Sequence, residues 1–491
     1  MSQKQIIERM MLVQPPYTIF WDEPKDCPPP LGLAYLAAVL EPLLDVHVLD
    51  AAAEGYATET EGGDGRFTYG LTDAGIRAVL ADFQPHVVGV SCHASAQWNN
   101  AHRMCRLAKY VSPDIITVMG GAHPSGAPQQ TLADPCVDYV VVGEGEVALM
   151  ALVKALATGQ PPADVEGLGF RDGEHVVLVP RHHYIDDLDA LPLPARHLLP
   201  MERYFAIDRP HGSLSRRIPN TSLITSRGCP AHCIFCCIHT ISGRKFRARS
   251  PQNVLDELES LVRDYGVREV QFEDDNLTFD RERALAIFDG MIERRLDLAW
   301  VAPNGLATWR MDEELLAAMK ASGCYRVHLA VESGDPDVLR HIIHKPLQLN
   351  QVVKIVGAAK RLGLAVDAFF VVGFPGETKE QIRRTFAFAR SLDVDTANVF
   401  IATPYPGTEL EEISRAKGYL GDIPFDHLRV KRGSITTPEF TSAELERMVS
   451  RHMLWQTLHQ LTRPRIFVER VAMRIWRDPR WALEHAARLM R

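Results

Sequence analysis

Ser226-Arg227-Gly228-Cys229-Pro230-Ala231-His232-Cys233-Ile234-Phe235-Cys236-Cys237 puts three thiols, Cys229, Cys233 and Cys236, within eight positions. The spacing C-x3-C-x2-C is short enough for one loop to wrap one inorganic cluster. Three thiolates hold three irons of a [4Fe-4S] cube and leave the fourth open to a substrate or cofactor, as an open position separates catalytic zinc sites from structural ones. The competing reading is a zinc knuckle, with His232 or His239 as fourth ligand. Cys237 lies outside the spacing and reads as a small buried or spare thiol.

Around this loop the chain alternates strand and helix. Thr221 to Thr225 is an apolar strand that ends at the cysteines. Helices are expected at Pro251 to Tyr265, Arg281 to Arg295, Asp312 to Ser322, Leu349 to Leu362 and Lys379 to Leu392. Between them lie strands at Arg268 to Glu273, Leu298 to Ala302, Arg326 to Val331, Ala365 to Val372 and Ala397 to Ala402. Ser250 and Asp280 read as N-caps, with Pro251 in the first turn. Six βα units imply an open, partial barrel whose site lies at the C-terminal strand ends. Those ends carry Glu273-Asp274-Asp275-Asn276, Glu332-Ser333-Gly334 and Gly373-Phe374-Pro375-Gly376-Glu377.

The cysteine spacing, with aromatic Phe235 before the last thiol, resembles the radical S-adenosylmethionine (SAM) superfamily. The resemblance implies that the open iron chelates SAM and that an electron from the cluster cleaves it to methionine and a 5'-deoxyadenosyl radical. Carried onto this chain, it gives Cys229, Cys233 and Cys236 to the cluster and Asp274 and Asp275 to the amino group of SAM. Glu332 and Ser333 would bond the ribose, Gly373 would let adenine lie against the backbone, and Phe235 would bracket that ring. No catalytic residue beyond the cluster is named.

Upstream, residues 8–160 read as a doubly wound parallel sheet. Strands are expected at Met10 to Val13, Val46 to Leu49, Val87 to Ser91, Ile115 to Met119 and Tyr139 to Val142. Helical patterns fall at Leu31 to Leu40, Thr72 to Phe83, Ala96 to Tyr110 and Glu146 to Ala157. A Pro-rich loop fills the stretch from Gln14 to Pro30. The strand ends carry Ser91-Cys92-His93, Gly120-Gly121 and Gly143-Glu144, where glycine pairs admit a large ligand.

With Gln14-Pro15-Pro16 and Pro29-Pro30-Leu31-Gly32-Leu33, this half resembles the cobalamin-binding domain of the B12-dependent radical SAM branch. The resemblance implies a cobalamin pocket at Gln14, Pro15, Ser91, His93, Gly120, Gly121, Gly143 and Glu144. The loop after the first strand holds Tyr17, Phe20, Trp21 and Asp22 but no histidine, so no histidine ligand to cobalt is expected from it. His93 and His123 read as hydrogen-bonding pocket residues.

Residues 161–217 read as a linker, with a hairpin at Gly167 to Arg171 and His175 to Val179 followed by a Pro-broken tether. His182-His183 reads as solvated loop. The basic run Ser242 to Ser250 reads equally as a grip on an anionic ligand or as a solvated face. Residues 218–425 form the barrel and 436–491 a helical, Arg-rich C-terminal region, whose helix starts at Thr441. Its Arg-rich end is expected to pack on its own domain, with weak contact to an anionic membrane surface as the alternative.

The net charge of −8 gives no nucleic-acid footprint. Nine cysteines without a disulfide pattern, and no apolar leader, point to a reduced cytoplasmic compartment. The fold class is α/β throughout: a flavodoxin-like cobalamin domain, a partial (β/α)6 barrel and a small helical end.

The expected cofactors are a [4Fe-4S] cluster, SAM and cobalamin. The expected partners are a small-molecule substrate and an electron donor such as flavodoxin or ferredoxin. The expected activity is methyl transfer to an unactivated carbon; cyclisation or rearrangement on the same domains is the second reading. A cobalamin-binding sensor with a structural cluster is the third.

Overall fold

The computed structural model describes residues 7–212 and 215–463. In the first half, five parallel strands stand in the spatial order Tyr139–Val141, Ile116–Gly120, Val87–Ser91, Arg9–Gln14, Asp45–Asp50. That is the flavodoxin-like order, with its switch point between Arg9–Gln14 and Val87–Ser91, where ligands bind outside the strand ends. These strands read as unbroken apolar runs because both faces are covered. Helices Leu31–Leu40 and Gly145–Thr158 bury Leu33, Leu40, Leu149 and Leu152 on one face. Helices Asp73–Phe83 and Trp98–Val111 bury Ile76, Leu80, Met104 and Ala108 on the other.

Two segments differ from the sequence reading. The Pro-rich loop contains a strand, Tyr17–Phe20, which pairs antiparallel with Arg66–Tyr69, itself paired with Glu59–Glu61. Trp21 stacks on Phe67 at 4.2 Å between centroids, so the aromatic residues hold this small sheet together. The segment expected as a tether is built into the body. Its hairpin, Leu168–Asp172 and His175–Leu178, extends the first sheet antiparallel beyond Tyr139–Val141. Further along, a helix at Met201–Ile207 carries Tyr204, whose hydroxyl donates to Asp50 at 2.7 Å.

The second half is an open barrel of six parallel strands: Asn220–Leu223, Glu269–Phe272, Ala299–Val301, Arg326–Glu332, Ala365–Val372 and Thr396–Ile401. The first three and last three form separate ladders, joined by parallel bridges between Trp300 and Cys324 and between Leu306 and Leu329. Ser250 and Asp280 cap their helices as expected, accepting from Asn253 N and Arg283 N. The helix Ser442–Leu461 starts from a capping box of Thr441 and Glu444 and packs along the last strand, with His452 Nε2 on Ala397 O at 3.0 Å. The Arg-rich stretch beyond Pro464 lies outside the described residues. Among the described residues no helix is long and apolar enough to cross a membrane.

Buried ion pairs join the halves. Arg247 donates both terminal nitrogens to Glu144, at 3.0 and 2.7 Å, and Arg227 donates to Glu146 at 2.6 Å. The acids follow the last parallel strand of the first sheet and the arginines flank the cysteine loop. The C-terminal strand ends of both domains therefore face one another. A third set, Arg196–Glu257–Arg249, ties the former tether to the first barrel helix at 2.9 and 2.5 Å. Burial alone would raise the Glu257 carboxyl, but its two guanidinium partners outweigh that and hold it below the usual range.

Two stability predictions follow from these buried acids. Glu257→Ala leaves two buried guanidinium groups without a counter-charge and should cost about 3–5 kcal/mol, read as a lower urea midpoint. Glu377 is pushed up to about 8, chiefly by burial, against hydrogen bonds from Gly373 N and Phe374 N. Its folded value lies above its unfolded value, so the native state holds the extra proton between the two, and stability falls as pH rises from about 4.5 to about 8. Glu377→Gln should flatten that fall in thermal melts; an unchanged profile would refute the assignment.

Candidate functional site

The cysteine loop leaves and re-enters the barrel at one place, because Ser226–Arg227 pairs antiparallel with Arg247–Ala248. Its middle is pinned by Ile234, which donates to Ile343 O at 3.3 Å and accepts from Leu410 N at 2.9 Å. Cys236 N closes a turn on Cys233 O at 3.1 Å, and His239 Nδ1 donates to Cys236 O at 3.0 Å. The three thiols are half-buried and unpaired. Burial pushes Cys233 up to about 11, with Lys345 opposing, and pushes Cys236 higher still.

The surroundings fit an iron–sulfur cluster. Asn276 Nδ2 lies 3.9 Å from Cys229 Sγ, and the buried cation Lys345 is electrostatically coupled to both Cys229 and Cys233. Cys237 caps the short helix Ile238–Ser242, outside the ligand spacing.

At the strand ends, the structure divides the residues expected around SAM. Phe235 stands half-buried, 5.8 Å from the ring of Phe374. Asp275 sits beside the thiols; burial and then Asp274 push it up to about 7. Glu332 is held by Lys345 Nζ at 2.7 Å in a buried pair.

The other three are spent inside the fold. Asp274 accepts from Thr225 N, Thr225 Oγ1 and Ser226 Oγ at 3.1, 2.6 and 2.5 Å, tying the first strand end to the second. Ser333 is fully buried, with its hydroxyl between Thr385 Oγ1 and Asp335 N. Gly373 donates its N–H to Glu377 at 2.7 Å, and a Cβ there would lie 2.5 Å from Leu445 of the C-terminal helix. Its glycine character serves that helix contact rather than an adenine ring.

Two residues at this end went unread in the sequence. Asn276 leaves its buried Oδ1 without a partner, and Lys345 lies beyond a π-helical turn at Val338–Ile343. The run Glu273-Asp274-Asp275-Asn276 pointed to the first; nothing local pointed to the second.

On the facing domain, Ser91 and Gly120 lie opposite one another in register. A Cβ on Gly120 would make ordinary van der Waals contact with Val141, at 3.8 Å from its carbonyl oxygen. At Gly121 the φ of 113° and a clash with Cys92 O at 2.7 Å require glycine. Gln14 Nε2 donates to Tyr17 Oη at 3.2 Å, beside buried Pro15, and Tyr17 Oη lies 3.4 Å from His93 Nε2. These residues stand at the switch point of the sheet, where folds of this class bind their ligands.

His93 is exposed yet surrounded by protein at longer range, which depresses it to about 4 and keeps it neutral at pH 7. His123 points elsewhere: it is fully buried, bonded to Ser95 Oγ at 2.9 Å and stacked edge-on against Trp98. Gly143 and Glu144, also expected at the cobalamin, are engaged within the protein. Gly143 packs under Arg181, and Glu144 is saturated by Arg247 and by Ile185 N. In the basic run, Arg247 and Arg249 are likewise buried in structural pairs, while Lys245 bonds Asp186 at the surface.

Comparison with known proteins identifies the family. Residues 17–153 match the B12 binding domain model and residues 223–389 the Radical SAM superfamily model. The chain is 35% identical over 468 residues to cytidylyl-2-hydroxyethylphosphonate methyltransferase of Streptomyces wedmorensis, covering 89% of this chain and 87% of the relative. It is 30% identical over 412 residues to the anaerobic magnesium-protoporphyrin IX monomethyl ester cyclase of Rubrivivax gelatinosus, covering 82% and 69%. The fold superposes on the radical SAM methyltransferase TsrM from Kitasatospora setae, solved with cobalamin and a [4Fe-4S] cluster, with a TM-score of 0.67 at 19% identity, over 85% of this chain and 80% of that one. The chain belongs to the cobalamin-dependent radical SAM enzymes, which work with a [4Fe-4S] cluster, SAM and cobalamin.

Proposed function

We propose that this enzyme methylates an unactivated carbon of a small-molecule biosynthetic intermediate in the cleft between its two domains. The observation that carries the reading is the mutual facing of the two sets of strand ends, clamped by Glu144–Arg247 and Glu146–Arg227. The bound groups supply a hydrogen-abstracting 5'-deoxyadenosyl radical and a methyl donor, chemistry that polar methyl transfer from SAM does not offer. The methyltransferase that is 35% identical over 89% of the chain supports methyl transfer over cyclisation.

In this reading Cys229, Cys233 and Cys236 hold the cluster. Asn276 Oδ1 and Asp275 accept from the amino group of SAM, Lys345 attracts its carboxylate, Glu332 bonds the ribose and Phe235 flanks adenine. Lys345 does so as a buried cation: burial would lower it, but Glu332 outweighs this and keeps it charged. Gln14, Pro15, Tyr17, Ser91, His93, Gly120 and Gly121 border the cobalamin. His93, neutral at pH 7, offers a hydrogen bond without adding charge. An external one-electron donor such as flavodoxin or ferredoxin completes the cycle.

Two experiments test this. Cys233→Ala should abolish deoxyadenosine formation and lower the iron bound per chain after anaerobic reconstitution, while Cys237→Ala should retain both; equal iron in the two variants would refute the ligand set. With methyl-deuterated SAM, reductant and substrate, the enzyme should form both deoxyadenosine and S-adenosylhomocysteine, with a deuterated methyl on the product. Deoxyadenosine with an unlabelled, rearranged product would instead establish the cyclase reading, which the Rubrivivax relative represents.

A further inference from the structure

Glu273 closes the second barrel strand, next to the residues assigned to SAM but facing a different partner. Its Oε2 lies 3.1 Å from His211 Nδ1 and accepts from Asn304 Nδ2 at 3.2 Å. Asn304 Nδ2 also donates to the Glu273 carbonyl at 2.9 Å, so the side chain is fixed from two sides. Oε1 of the same carboxylate is buried and has no partner among the described residues. A buried acceptor left unmade costs about 1–3 kcal/mol and calls for an explanation.

His211 supplies the complementary half. With Nδ1 on Glu273, its Nε2 donates only when the ring is protonated, and its side chain is 47% exposed while enclosed at longer range. Burial would lower its pKa, but Glu273 and Asp26 outweigh that and raise it, which favours the imidazolium form in which both ring nitrogens donate. His93 of the cobalamin domain is close enough to be influenced electrostatically by it. The dyad thus holds one buried, unpartnered acceptor beside one half-exposed ring that donates when protonated.

An alcohol is the group that satisfies both with one atom, since its O–H donates and its lone pairs accept. An ammonium would satisfy Glu273 but leave His211 facing a cation. A phosphate or carboxylate would satisfy His211 but meet the bare oxygen of Glu273. We propose that Glu273 and His211 form a recognition site for a hydroxyl group of the substrate, Glu273 Oε1 accepting from it and His211 Nε2 donating to it, with Asn304 as the positioning residue. The proposal rests on the cleft being the substrate site, as in the reading above.

The test uses the full chain carrying cluster and cobalamin, with SAM and no reductant, titrated by 31P NMR. The probes are 2-hydroxyethylphosphonate against ethylphosphonate, and the cytidylyl esters of both. Sites built to bond a hydroxyl reject the analogue lacking it strongly, so the wild type should prefer the hydroxylated member of a pair by about 100-fold or more in Kd. Glu273→Met and His211→Phe should each reduce that preference to within about 3-fold, about 0.7 kcal/mol, while SAM affinity and bound iron and cobalamin stay unchanged.

A wild type that fails to discriminate in either pair overturns the proposal, as does a preference that survives in both variants. So does a parallel loss of SAM affinity in Glu273→Met, which would place the SAM amino group on this carboxylate. Should Glu273→Met lose its cofactors, the exposed His211→Phe decides alone. A wild type that discriminates but yields no labelled product under reducing conditions removes the methyl-transfer reading and leaves the hydroxyl site standing.

Discussion

The arginines that flank the cysteine loop are the constraint on which the remaining structure depends. Arg227 precedes Gly228 and Cys229, Arg247 closes the loop, and both reach across to acids that follow the last parallel strand of the cobalamin domain. Removing such charges from water is expensive, and their pairing does little more than recover that cost. Their value is positional. Arg247 Nη1 also donates to Ile185 O and Nη2 to Ser242 O, so one guanidinium fixes the first domain, the 161–217 segment and the cysteine loop in a single arrangement. A reaction between groups bound on two domains depends on such fixing, because misplacement by about 1 Å costs rate steeply.

The regular elements were legible because their periodicity is local. The strand Val87–Ser91 and the helices Leu31–Leu40 and Pro251–Tyr265 have the bounds read from sequence, and Ser250, Asp280 and Thr441 cap where expected. The small sheet Tyr17–Phe20, Glu59–Glu61, Arg66–Tyr69 was not legible, since its strands are short and half-exposed and its first partner is about fifty residues away. The same distinction governs the site. The cysteine spacing is a local pattern and can be read without its tertiary partners. Asp274, Ser333 and Glu144 had the right chemistry at the right strand ends, yet each is consumed by a partner invisible to local reading: Thr225, Thr385 and Arg247. Lys345 and His211 were missed for the converse reason, that their significance lies wholly in long-range contacts with Glu332 and Glu273.

Closure of the cleft uses the chain that follows the barrel. Asp426 accepts from Arg66 at 2.6 Å and from Asn99 at 2.9 Å, and Phe425 packs against Trp98 and His123. Arg429 donates to Thr18 O at 3.1 Å. The segment after the sixth strand thereby grips the small sheet and the third helix of the cobalamin domain. Leu445, one helix further on, fills the space above Gly373. The C-terminal region, as far as Arg463, is thus packed onto the barrel and is not an appendage.

That enclosure explains why residues such as His93 and His211 are accessible to a small probe yet experience a largely protein environment. A cleft of this kind strengthens each internal hydrogen bond and keeps reactive species from water. It also sets the terms of specificity. Inside it, an unpaired carboxylate oxygen such as Glu273 Oε1 favours a ligand that brings a donor and penalises one that does not, because no solvent stands ready to replace it. The walls that protect the radical chemistry are therefore the same walls that make one hydroxyl group matter.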